Sequence, residues 1–596
     1  MRDTMTHRGP DDAGIWRCPW AVLGHRRLSV IAPGPEGHQP MVTPDARFAL
    51  VYNGELYNDA ELRTELAGRG VRFRTGCDTE TVLHALAHWG EAGVRRLRGM
   101  FAIGFVDTHT GRVILARDPL GIKPLYAARI VGTDGPQIVF ASEPAAVLAH
   151  PDMPARPDWV AVSAYLTTIR PTLGARTMFE GLGCLQPGET RVYDTRAGGG
   201  GGTGGTGGAV RVIDAWDEPE IPPGDAADTR DMIAGSVVAH LRTDVPMCAM
   251  LSGGLDSAAL VAVATARLDH RLQTYCAGAR AGGFDDDFTH AAEMAHRLDT
   301  THTEVALDAH AFNERWAELI DRTGLPVSTP NETAIFAVAS ALRADGHVVA
   351  LSGEGADELF GGYAPPMMQA AEHVRALGDR PGDDGGLFHL RSNAWITADA
   401  KSSVLRDRVW EQAGRDAEIE AFYRDSFGAL AERAPSDSPL QAHLRFHRRM
   451  NLPNLLRRLD STTMLASVEG RTPFADIRVA RFAESLPMSS KFRPGDPPGT
   501  KIALRDAFRG VLPPSVVDRP KASFPLPFQG WMGARAAALK DSGFARSVFT
   551  DEAIEMVSAA PGQLWPLAWP MINIAMWGER WWGGGVPSAE RVAASV

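Results

Sequence analysis

A glycine-rich hexapeptide, Ser-Gly-Gly-Leu-Asp-Ser at residues 252–257, lies between the apolar run 245–251 and the helix-like run 258–266. A strand, a glycine turn and a helix in that order point unpaired N–H groups and the positive end of the helix dipole at the turn, where glycine lets a phosphate approach closely. Asp256 would lie beside that phosphate, a position that suits a magnesium ligand. The motif is not a Walker A loop, because no Gly-Lys-Ser/Thr ending occurs in the chain.

A second loop about a hundred residues further on has the same organisation. Residues 347–351 form a buried-strand pattern, and the glycine-rich segment 352–363 follows, with carboxylates at Glu354, Asp357 and Glu358. Like charges crowded at the carboxyl end of a strand need a cation to offset their repulsion. The sequence therefore predicts one magnesium site formed by Asp256 and Asp357, holding the phosphates of ATP.

The two loops together resemble those of the glutamine-dependent asparagine synthetases, which cleave ATP to AMP and pyrophosphate. Segments 459–476, 501–505 and 519–524 extend the similarity, which runs from about residue 7 to about residue 580. The resemblance implies that ATP and Mg²⁺ are used, with Lys501 neutralising phosphate charge and Glu354 accepting a proton from ammonia. It also assigns the ATP-binding residues, which are Leu251, Ser252, Gly253, Gly254, Asp256, Ser257, Ala277, Ser352 and Gly353.

The N-terminal third resembles the other half of these enzymes, a class II glutamine amidotransferase domain. The matching segments are 7–12, 24–29, 52–58, 78–80, 97–101, 117–126 and 140–143. By position, Arg27 and Asp78 would bind the α-carboxylate and α-ammonium of glutamine, since a guanidinium and a carboxylate suit those groups. Asn53 and Gly54 would donate to the oxyanion, and Glu55 completes the expected glutamine-binding set.

The nucleophile of such domains, an N-terminal cysteine, has no counterpart in this sequence. The His-Arg-Gly-Pro motif begins at His7, whereas the family has at least some twenty residues before it. None of the five cysteines (18, 77, 184, 248 and 276) can become N-terminal without loss of motif sequence. Either the start codon is assigned too late, or the chain is naturally shortened and uses free ammonia. We expect the sandwich to be incomplete at its start, and glutaminase activity is not assumed.

The chain divides into an α+β half and an α/β half. We predict an N-terminal nucleophile (Ntn) type αββα sandwich over residues 1–217 and a doubly wound parallel sheet with a helical C-terminal part over residues 218–596. A glycine-rich insertion at 198–208 gives a chance match to G-x-G-x-x-G, with no helix after it. A helix at 226–242 and strands ending at Leu251 and spanning 273–278, 303–306 and 347–351 are expected.

The composition is typical of a cytoplasmic enzyme. The 596 residues are 44% hydrophobic and 22% charged, and the net charge of −11 argues against a nucleic-acid partner. Scattered cysteines fit a reducing compartment, and the absence of a signal peptide or an apolar run of eighteen residues gives no support for export or a membrane span. His84 and His88 have metal-ligand spacing but no third ligand, so ordinary surface or core roles are favoured. The resemblance suggests a homodimer.

Residues 328–334 and the residues around Arg471 bear on the identity of the acyl substrate. We expect aspartate to be converted to asparagine through β-aspartyl-AMP, with ammonia from glutamine or from solution. Segment 328–334 helps to form the aspartate pocket in such enzymes, yet Glu332 would place a carboxylate where an anionic substrate is repelled. Gly470 and Thr472 also depart from the usual pattern around Arg471. The alternatives are a biosynthetic amidotransferase acting on another carboxylate and, third, a catalytically inactive binding homologue.

Overall fold

A computed structural model describes residues 1–132, 135–195, 224–279, 287–377, 384–432, 438–495, 497, 499–521 and 526–583. The predicted boundary at residue 217 and the glycine-rich insertion at 198–208 lie outside these ranges. Within them, no helix combines the length and the apolar character needed to cross a bilayer.

Within the described residues, the N-terminal half consists of antiparallel sheets and four α-helices. One five-stranded sheet has the order β12-β6-β5-β4-β3, a second has the order β8-β7-β11-β10-β9, and β1 pairs with β2 alone. The strands are β1 Asp12–Cys18, β2 Ala21–Arg27, β3 Met41–Val42, β4 Phe48–Leu56, β5 Gly99–Asp107, β6 Arg112–Arg117, β7 Tyr126–Gly132, β8 Gly135–Ala141, β9 Thr172–Leu173, β10 Arg176–Thr177, β11 Leu182–Cys184 and β12 Thr190–Asp194. The helices are α1 Asp59–Gly68, α2 Asp78–Trp89, α3 Pro144–Leu148 and α4 Trp159–Thr168.

Successive side chains of β4 point to opposite faces of its sheet and show how the sheets and helices are layered. Leu50 and Tyr52 face a core that also contains side chains of α1 and α2. Ala49 and Val51, one residue out of phase, belong to a different cluster that includes Phe140 of the second sheet. A strand buried on both faces in this way places one sheet between helices and another sheet. On the second sheet, Tyr126 and Ala128 share a cluster with residues of α4, so the predicted αββα layering is confirmed.

The C-terminal half is organised around one parallel sheet with the order β15-β14-β13-β16-β17. The chain crosses from β13 to β14 on one side and returns to β16 on the other, so the crevice lies where the direction of winding changes. The three-residue β17 is not predicted by the sequence, because its residues are Glu, Gly and Arg and do not form an apolar run. The elements are α5 Ala226–His240, β13 Met247–Met250, α6 Leu255–Thr265, β14 Gln273–Gly278, α7 Asp287–Arg297, β15 Thr301–Ala306, α8 Ala309–Thr323, α9 Asn331–Ala344, β16 Val349–Leu351 and β17 Glu469–Arg471.

Helices make up most of the chain between β16 and β17 and after β17, as predicted for the C-terminal part. They are α10 Ala356–Phe360, α11 Ala364–Leu377, α12 Gly385–Ser392, α13 Ala398–Val404, α14 Asp407–Gln412, α15 Ala417–Glu432 and α16 Pro439–Leu465. After α17 Ile477–Ser485 come the hairpin β18 Phe492–Arg493 and β19 Gly499–Thr500, and then α18 Ile502–Phe508, α19 Pro514–Val517, α20 Phe528–Trp531, α21 Gly533–Ala537, α22 Gly543–Val548, α23 Asp551–Ala559 and α24 Trp565–Trp582. Short 3₁₀ helices span Arg2–Met5, Pro35–Gly37, Gly90–Arg96, Gly414–Asp416, Pro473–Ala475, Met488–Ser490 and Ala538–Lys540.

Buried ion pairs join the two halves. Arg471 of β17 is fully buried and contacts Glu55 of β4 at 3.0 Å. Asp460 of α16 accepts from Lys123 at 3.0 Å and from Arg8 at 2.7 Å. Because a buried charge that loses its partner is strongly destabilising, these pairs fix how the halves dock.

Candidate functional site

A cavity of about 400 Å³ opens at the carboxyl ends of β13 and β16. Its position is the one at which open α/β sheets bind ligands. Of the nine residues predicted to bind ATP, the cavity is lined by eight, namely Leu251, Ser252, Gly254, Asp256, Ser257, Ala277, Ser352 and Gly353.

Gly253, the ninth, does not line this cavity. It adopts φ +70°, and a Cβ there would lie 2.6 Å from the backbone carbon of His290 in α7. Glycine is therefore required for a left-handed turn and for the close approach of α7. Its contribution to the loop is structural, and the ligand-binding role given to it remains a prediction.

Lys501 connects the two glycine-rich loops. Its Nζ lies 2.6 Å from Asp256 Oδ2 and 2.7 Å from Asp357 Oδ1. Burial raises the pKa of Asp256, with Lys501 acting against the shift. The pKa of Asp357 is lowered in spite of its burial, because both Lys501 and a second cation, Lys521, lie beside it. The two predicted carboxylates and the predicted lysine thus converge on one point.

Lys521 has no role assigned from the sequence, although it lies in a segment that matches the family. Its ammonium forms an ion pair with Asp357 and lies 4.8 Å from the ring centre of Tyr363. Neighbouring Asp357 and Asp256 raise the pKa of Lys521 against the effect of burial. The site therefore holds two lysines, a charge suited to a polyphosphate. The family segment is the available signal, and it does not show where its lysine points.

The donors at this point fit Mg²⁺ only if a ligand completes the coordination. Asp256 and Asp357 supply hard carboxylate oxygens, and no cluster of three or more His, Cys, Asp or Glu side chains suited to a metal occurs in the described part of the chain. Magnesium characteristically takes one or two carboxylates together with substrate phosphates and water. The residues present match that pattern.

Glu354 also lines the cavity, and its partner is Arg458 of α16, which sequence reasoning missed. Arg458 Nη2 donates to Glu354 Oε1 at 2.5 Å, and Nη1 donates to Thr329 Oγ1 at 3.0 Å. Nearby, Tyr363 donates to Glu358 at 2.6 Å, and burial with the charges of Asp357 and Glu354 raises the pKa of Glu358 to about 7. Arg458 is not predicted from the sequence, because only the packing of α16 brings it next to Glu354, about a hundred residues earlier in the chain.

The expectation that Glu332 repels an anionic substrate is wrong. Its side chain is 5% exposed and does not line the cavity. Glu332 Oε1 instead accepts the backbone N–H groups of Ser328 at 2.8 Å and Thr329 at 3.1 Å. The carboxylate orders the loop before α9, so it is no argument against an acidic substrate.

A second cavity, of about 140 Å³, lies in the N-terminal half and is lined by all five residues predicted to bind glutamine, Arg27, Asn53, Gly54, Glu55 and Asp78. Most of their polar atoms are already bonded within the protein. Arg27 donates to the carbonyl oxygens of Ile31, Ala32 and Gly34 at 2.7–3.0 Å. Asn53 donates to Ser142 Oγ at 3.3 Å. The predicted residues are brought together, and their roles towards glutamine remain predictions.

The acidic members of this cavity are also bonded to the scaffold. Asp78 accepts the N–H of Leu56 at 3.0 Å, and burial raises its pKa to about 6. Burial likewise raises the pKa of Glu55, and Arg471 opposes that shift from across the contact between the two halves. The second cavity is thus connected directly to β17 of the parallel sheet.

The remaining candidate residues have ordinary surroundings. None of the five cysteines, all of which lie in the described residues, forms a disulfide, and burial raises the pKa of Cys77, which lines the second cavity, to about 11. His84 lies 3.7 Å from Glu80 and packs edge-on against Phe73. Neither residue has the electrostatic surroundings of a nucleophile or of a metal ligand.

The structure thus combines two halves that buried ion pairs join. One half has a charged crevice at the switch point of a parallel sheet, the other is a two-sheet sandwich with its own polar cavity, and each cavity is a candidate site. The sequence comparisons agree. The model of the "Asparagine synthase" family matches residues 228–579, and that of the "Glutamine amidotransferase domain" matches residues 1–199. The chain belongs to the asparagine synthase family and is a ligase of ATP-dependent amidation.

Relatives span most of the chain. Asparagine synthetase [glutamine-hydrolyzing] 3 of Bacillus subtilis is 29% identical, covering 88% of this chain and 83% of its own length. Asparagine synthetase [glutamine-hydrolyzing] 1 of the same organism is 30% identical, and the match covers 89% of this chain and 84% of that protein's length. The glutamine phosphoribosylpyrophosphate amidotransferase of B. subtilis, a solved structure, is 14% identical with a TM-score of 0.24 over 63% of this chain and 75% of that one, too low to inform on the fold.

Proposed function

We propose that this enzyme converts aspartate to asparagine through a β-aspartyl-AMP intermediate, consuming ATP and releasing AMP and pyrophosphate. The observation that carries the proposal is the position of Lys501 Nζ between Asp256 and Asp357, at 2.6 and 2.7 Å, in the switch-point cavity. An ammonium held between two carboxylates from separate glycine-rich loops is placed to meet a polyphosphate.

In the first step, a carboxylate oxygen of the substrate forms a bond to the α-phosphorus of ATP, and the bond from that phosphorus to the bridging oxygen breaks, releasing pyrophosphate. Lys501 and Lys521 neutralise the charge that grows on the phosphate oxygens. The N–H groups at the start of α6 and the small side chains of Ser252 and Ser257 line the phosphate side of the cavity.

Asp256 and Asp357 would hold Mg²⁺ together with the nucleotide phosphates, and the ion supplies charge neutralisation on those phosphates. Lys501 adopts φ +50° immediately before α18. A left-handed conformation at a residue other than glycine costs free energy, and such residues cluster at functional sites. The backbone there holds the ammonium where the two carboxylates meet.

In the second step, ammonia attacks the acyl carbon, AMP leaves with the oxygen that joined it to that carbon, and the nitrogen loses a proton. Glu354 is proposed to accept this proton. Its contact with Arg458 at 2.5 Å orients the carboxylate towards the cavity wall that α16 forms. The nitrogen source is either glutamine, bound in the second cavity, or free ammonia.

An amidotransferase acting on another carboxylic acid is the second candidate, because Gly470 and Thr472 depart from the usual pattern around Arg471. A catalytically inactive binding homologue is third, because the convergence of Lys501, Asp256 and Asp357 in one cavity favours catalysis. Cytoplasmic location and a homodimer remain predictions.

The test is pyrophosphate release by the full chain with MgATP and aspartate, with ammonium chloride or glutamine supplied in parallel. Release with ammonium supports the proposal, and release with glutamine adds the amidotransferase half. A folded protein that binds ATP yet releases no pyrophosphate with aspartate contradicts it, and a panel of other carboxylic acids would then separate the second candidate from the third.

A further inference from the structure

The cavity at the carboxyl ends of β13 and β16, called the ligase cavity below, contains a cation in addition to Lys501 and Lys521. Arg458 of α16 lines the cavity and is 9% exposed. Lys501 and Lys521 are both held by aspartates on the phosphate side. Arg505, also in the wall, donates to the carbonyl oxygens of Thr500 and Val517. Arg458 is therefore a separate positive centre, next to Glu354.

The hydrogen bonds of Arg458 leave part of its guanidinium unused. Nη2 donates to Glu354 and Nη1 donates to Thr329 Oγ1, while Nε is buried with no acceptor. A buried N–H without an acceptor costs free energy, so such a group in a native site requires an explanation. Nη1 and Nη2 each carry a second N–H, so a ligand in the cavity can accept from the guanidinium without the loss of either existing bond.

The surroundings of Arg458 indicate what that ligand is. A guanidinium recognises a carboxylate through parallel N–H donors, and a single Glu354 oxygen occupies only one of them. Thr329, which the same guanidinium contacts, belongs to the segment predicted to form the acyl pocket. Arg458 would bind a carboxylate of the ligand, and Glu354 would accept from an ammonium next to it. An α-amino acid carries these two groups side by side.

We propose that Arg458 forms a carboxylate-binding subsite for the acyl substrate, so that the enzyme selects acids with a second carboxylate that is not activated. This inference rests on the proposed function and narrows its substrate class. Aspartate and succinate satisfy the requirement, whereas β-alanine, which lacks the second carboxylate of aspartate, does not. The reacting carboxylate lies towards Lys501, and the second one lies at Arg458.

Arg457 offers a matched control on the same helix. It is 5% exposed, donates to Ser328 Oγ at 2.9 Å and has an Nε without an acceptor, but it does not line the cavity. Arg457→Gln therefore removes the same buried charge one residue away. If Arg458 merely stabilised the helix or the loop, the two glutamine variants would behave alike.

The experiment measures KM and kcat for ammonia-dependent pyrophosphate release with aspartate, succinate and β-alanine, in the wild type and in Arg458→Gln, Arg458→Lys and Arg457→Gln. We expect Arg458→Gln to raise the KM for aspartate and succinate about 10- to 100-fold, the cost of losing hydrogen bonds to a charged group, and to leave β-alanine unchanged. Arg458→Lys should restore part of the loss, and Arg457→Gln should change no KM.

Calorimetry of aspartate, succinate and β-alanine binding, with a non-hydrolysable ATP analogue present, keeps this inference separate from the proposed function. If the wild type binds aspartate and succinate tightly but turns over neither, the proposed reaction fails while the subsite stands. An equal loss of affinity for all three acids in Arg458→Gln overturns the subsite. So does a fall in kcat with KM unchanged, which would make Arg458 only a positioning residue for Glu354.

Discussion

The two cavities differ in what their charged side chains are bonded to. In the ligase cavity, Lys501 contacts Asp256 and Asp357, so charged side chains from separate loops neutralise one another. In the second cavity, called the amidotransferase cavity below, Arg27 donates to backbone carbonyl oxygens and Asp78 accepts the N–H of Leu56. A ligand can replace one side-chain partner with another, but it must compete with fixed backbone groups in the second cavity. The ligase site is therefore arranged for exchange, and the amidotransferase site is held by its scaffold.

The same difference is visible in size. The ligase cavity measures about 400 Å³, in the range of small-molecule sites, and the amidotransferase cavity about 140 Å³. Glu55 links them, since it lines the smaller cavity and pairs with Arg471 of the parallel sheet that carries the larger one. Four substitutions, from the largest expected effect to the smallest, test whether one cavity depends on exchangeable charges and the other on fixed ones.

Glu354→Gln should have the largest effect, because it removes the proposed proton acceptor while its amide oxygen can still accept from Arg458. We expect the rate of amide formation to fall by about 10²- to 10⁴-fold, the value of a general base. Rapid-quench assays would follow amide and pyrophosphate together, and a single turnover of pyrophosphate should persist. Glu332→Gln, a buried neighbour outside the cavity, is the control. Amide formation at the wild-type rate would remove Glu354 from the mechanism.

Arg471→Ala should weaken the contact between the two halves, because Glu55 and Glu469 would both lose their buried partner. Breaking such a cluster from one side costs about 3–5 kcal/mol. Urea denaturation, followed by tryptophan fluorescence, measures the loss. Arg509→Ala removes the exposed pair with Asp518 and should cost at most about 1 kcal/mol. Equal effects of the two variants would mean that the contact does not depend on its buried charges.

Lys501→Ala should lower kcat for pyrophosphate release by about 10²- to 10³-fold, the effect of losing one donor to developing charge. Asp256 loses its ion pair in this variant, whereas Asp357 keeps Lys521, so urea denaturation is measured alongside to separate a loss of stability from the loss of rate. Steady-state release with ammonium chloride gives the rate. Lys540→Ala, which removes an exposed ion pair with Glu555, should match the wild type. A rate for Lys501→Ala close to that of the wild type would show that the lysine is only a scaffold for the two aspartates.

Asp78→Asn should change the pH dependence of stability. Burial raises the folded-state pKa of Asp78 from 3.8 to about 6. The wild type therefore loses stability relative to the variant as pH rises from about 4 to about 6, since ionisation costs more in the folded state. Two pKa units correspond to about 3 kcal/mol at most. Urea denaturation of both proteins between about pH 4 and about pH 6 measures this difference in the free energy of unfolding, and Asp231→Asn, at an exposed position, is the control. A constant difference between wild type and Asp78→Asn would mean that Asp78 is hydrated in the folded state.

Local sequence patterns predict most of the ligase fold. The strand expected at 273–278 is β14 Gln273–Gly278, and the strand expected at 347–351 is β16 Val349–Leu351. Apolar runs bounded by glycine turns carry this information within a few residues. β17 is missed because Glu469–Arg471 consists of Glu, Gly and Arg and shows no apolar run, whereas the equally short β16 lies within one.

The site is only partly predictable. Asp256, Asp357 and Glu354 stand in glycine-rich loops whose sequence alone indicates phosphate chemistry, so the sequence is enough to name them as candidates. Arg458 stands mid-helix among residues of ordinary composition. The wrong prediction that Glu332 repels an anionic substrate has a related cause. Glu332 is the second residue of α9, and its carboxylate accepts the N–H groups of Ser328 and Thr329, contacts that depend on the loop conformation and not on the local sequence.

The sequence by itself determined where the phosphate loops lie, because a strand, glycines and a helix start must be consecutive to form an anion site. It also determined the two-domain organisation through long stretches of family motif. Only the tertiary structure decided which charges meet: that Lys501 bridges the two loops, that Arg458 faces Glu354 and that Arg471 reaches Glu55. Those pairings join residues a hundred or more positions apart. They depend on how helices and sheets pack, which local sequence does not specify.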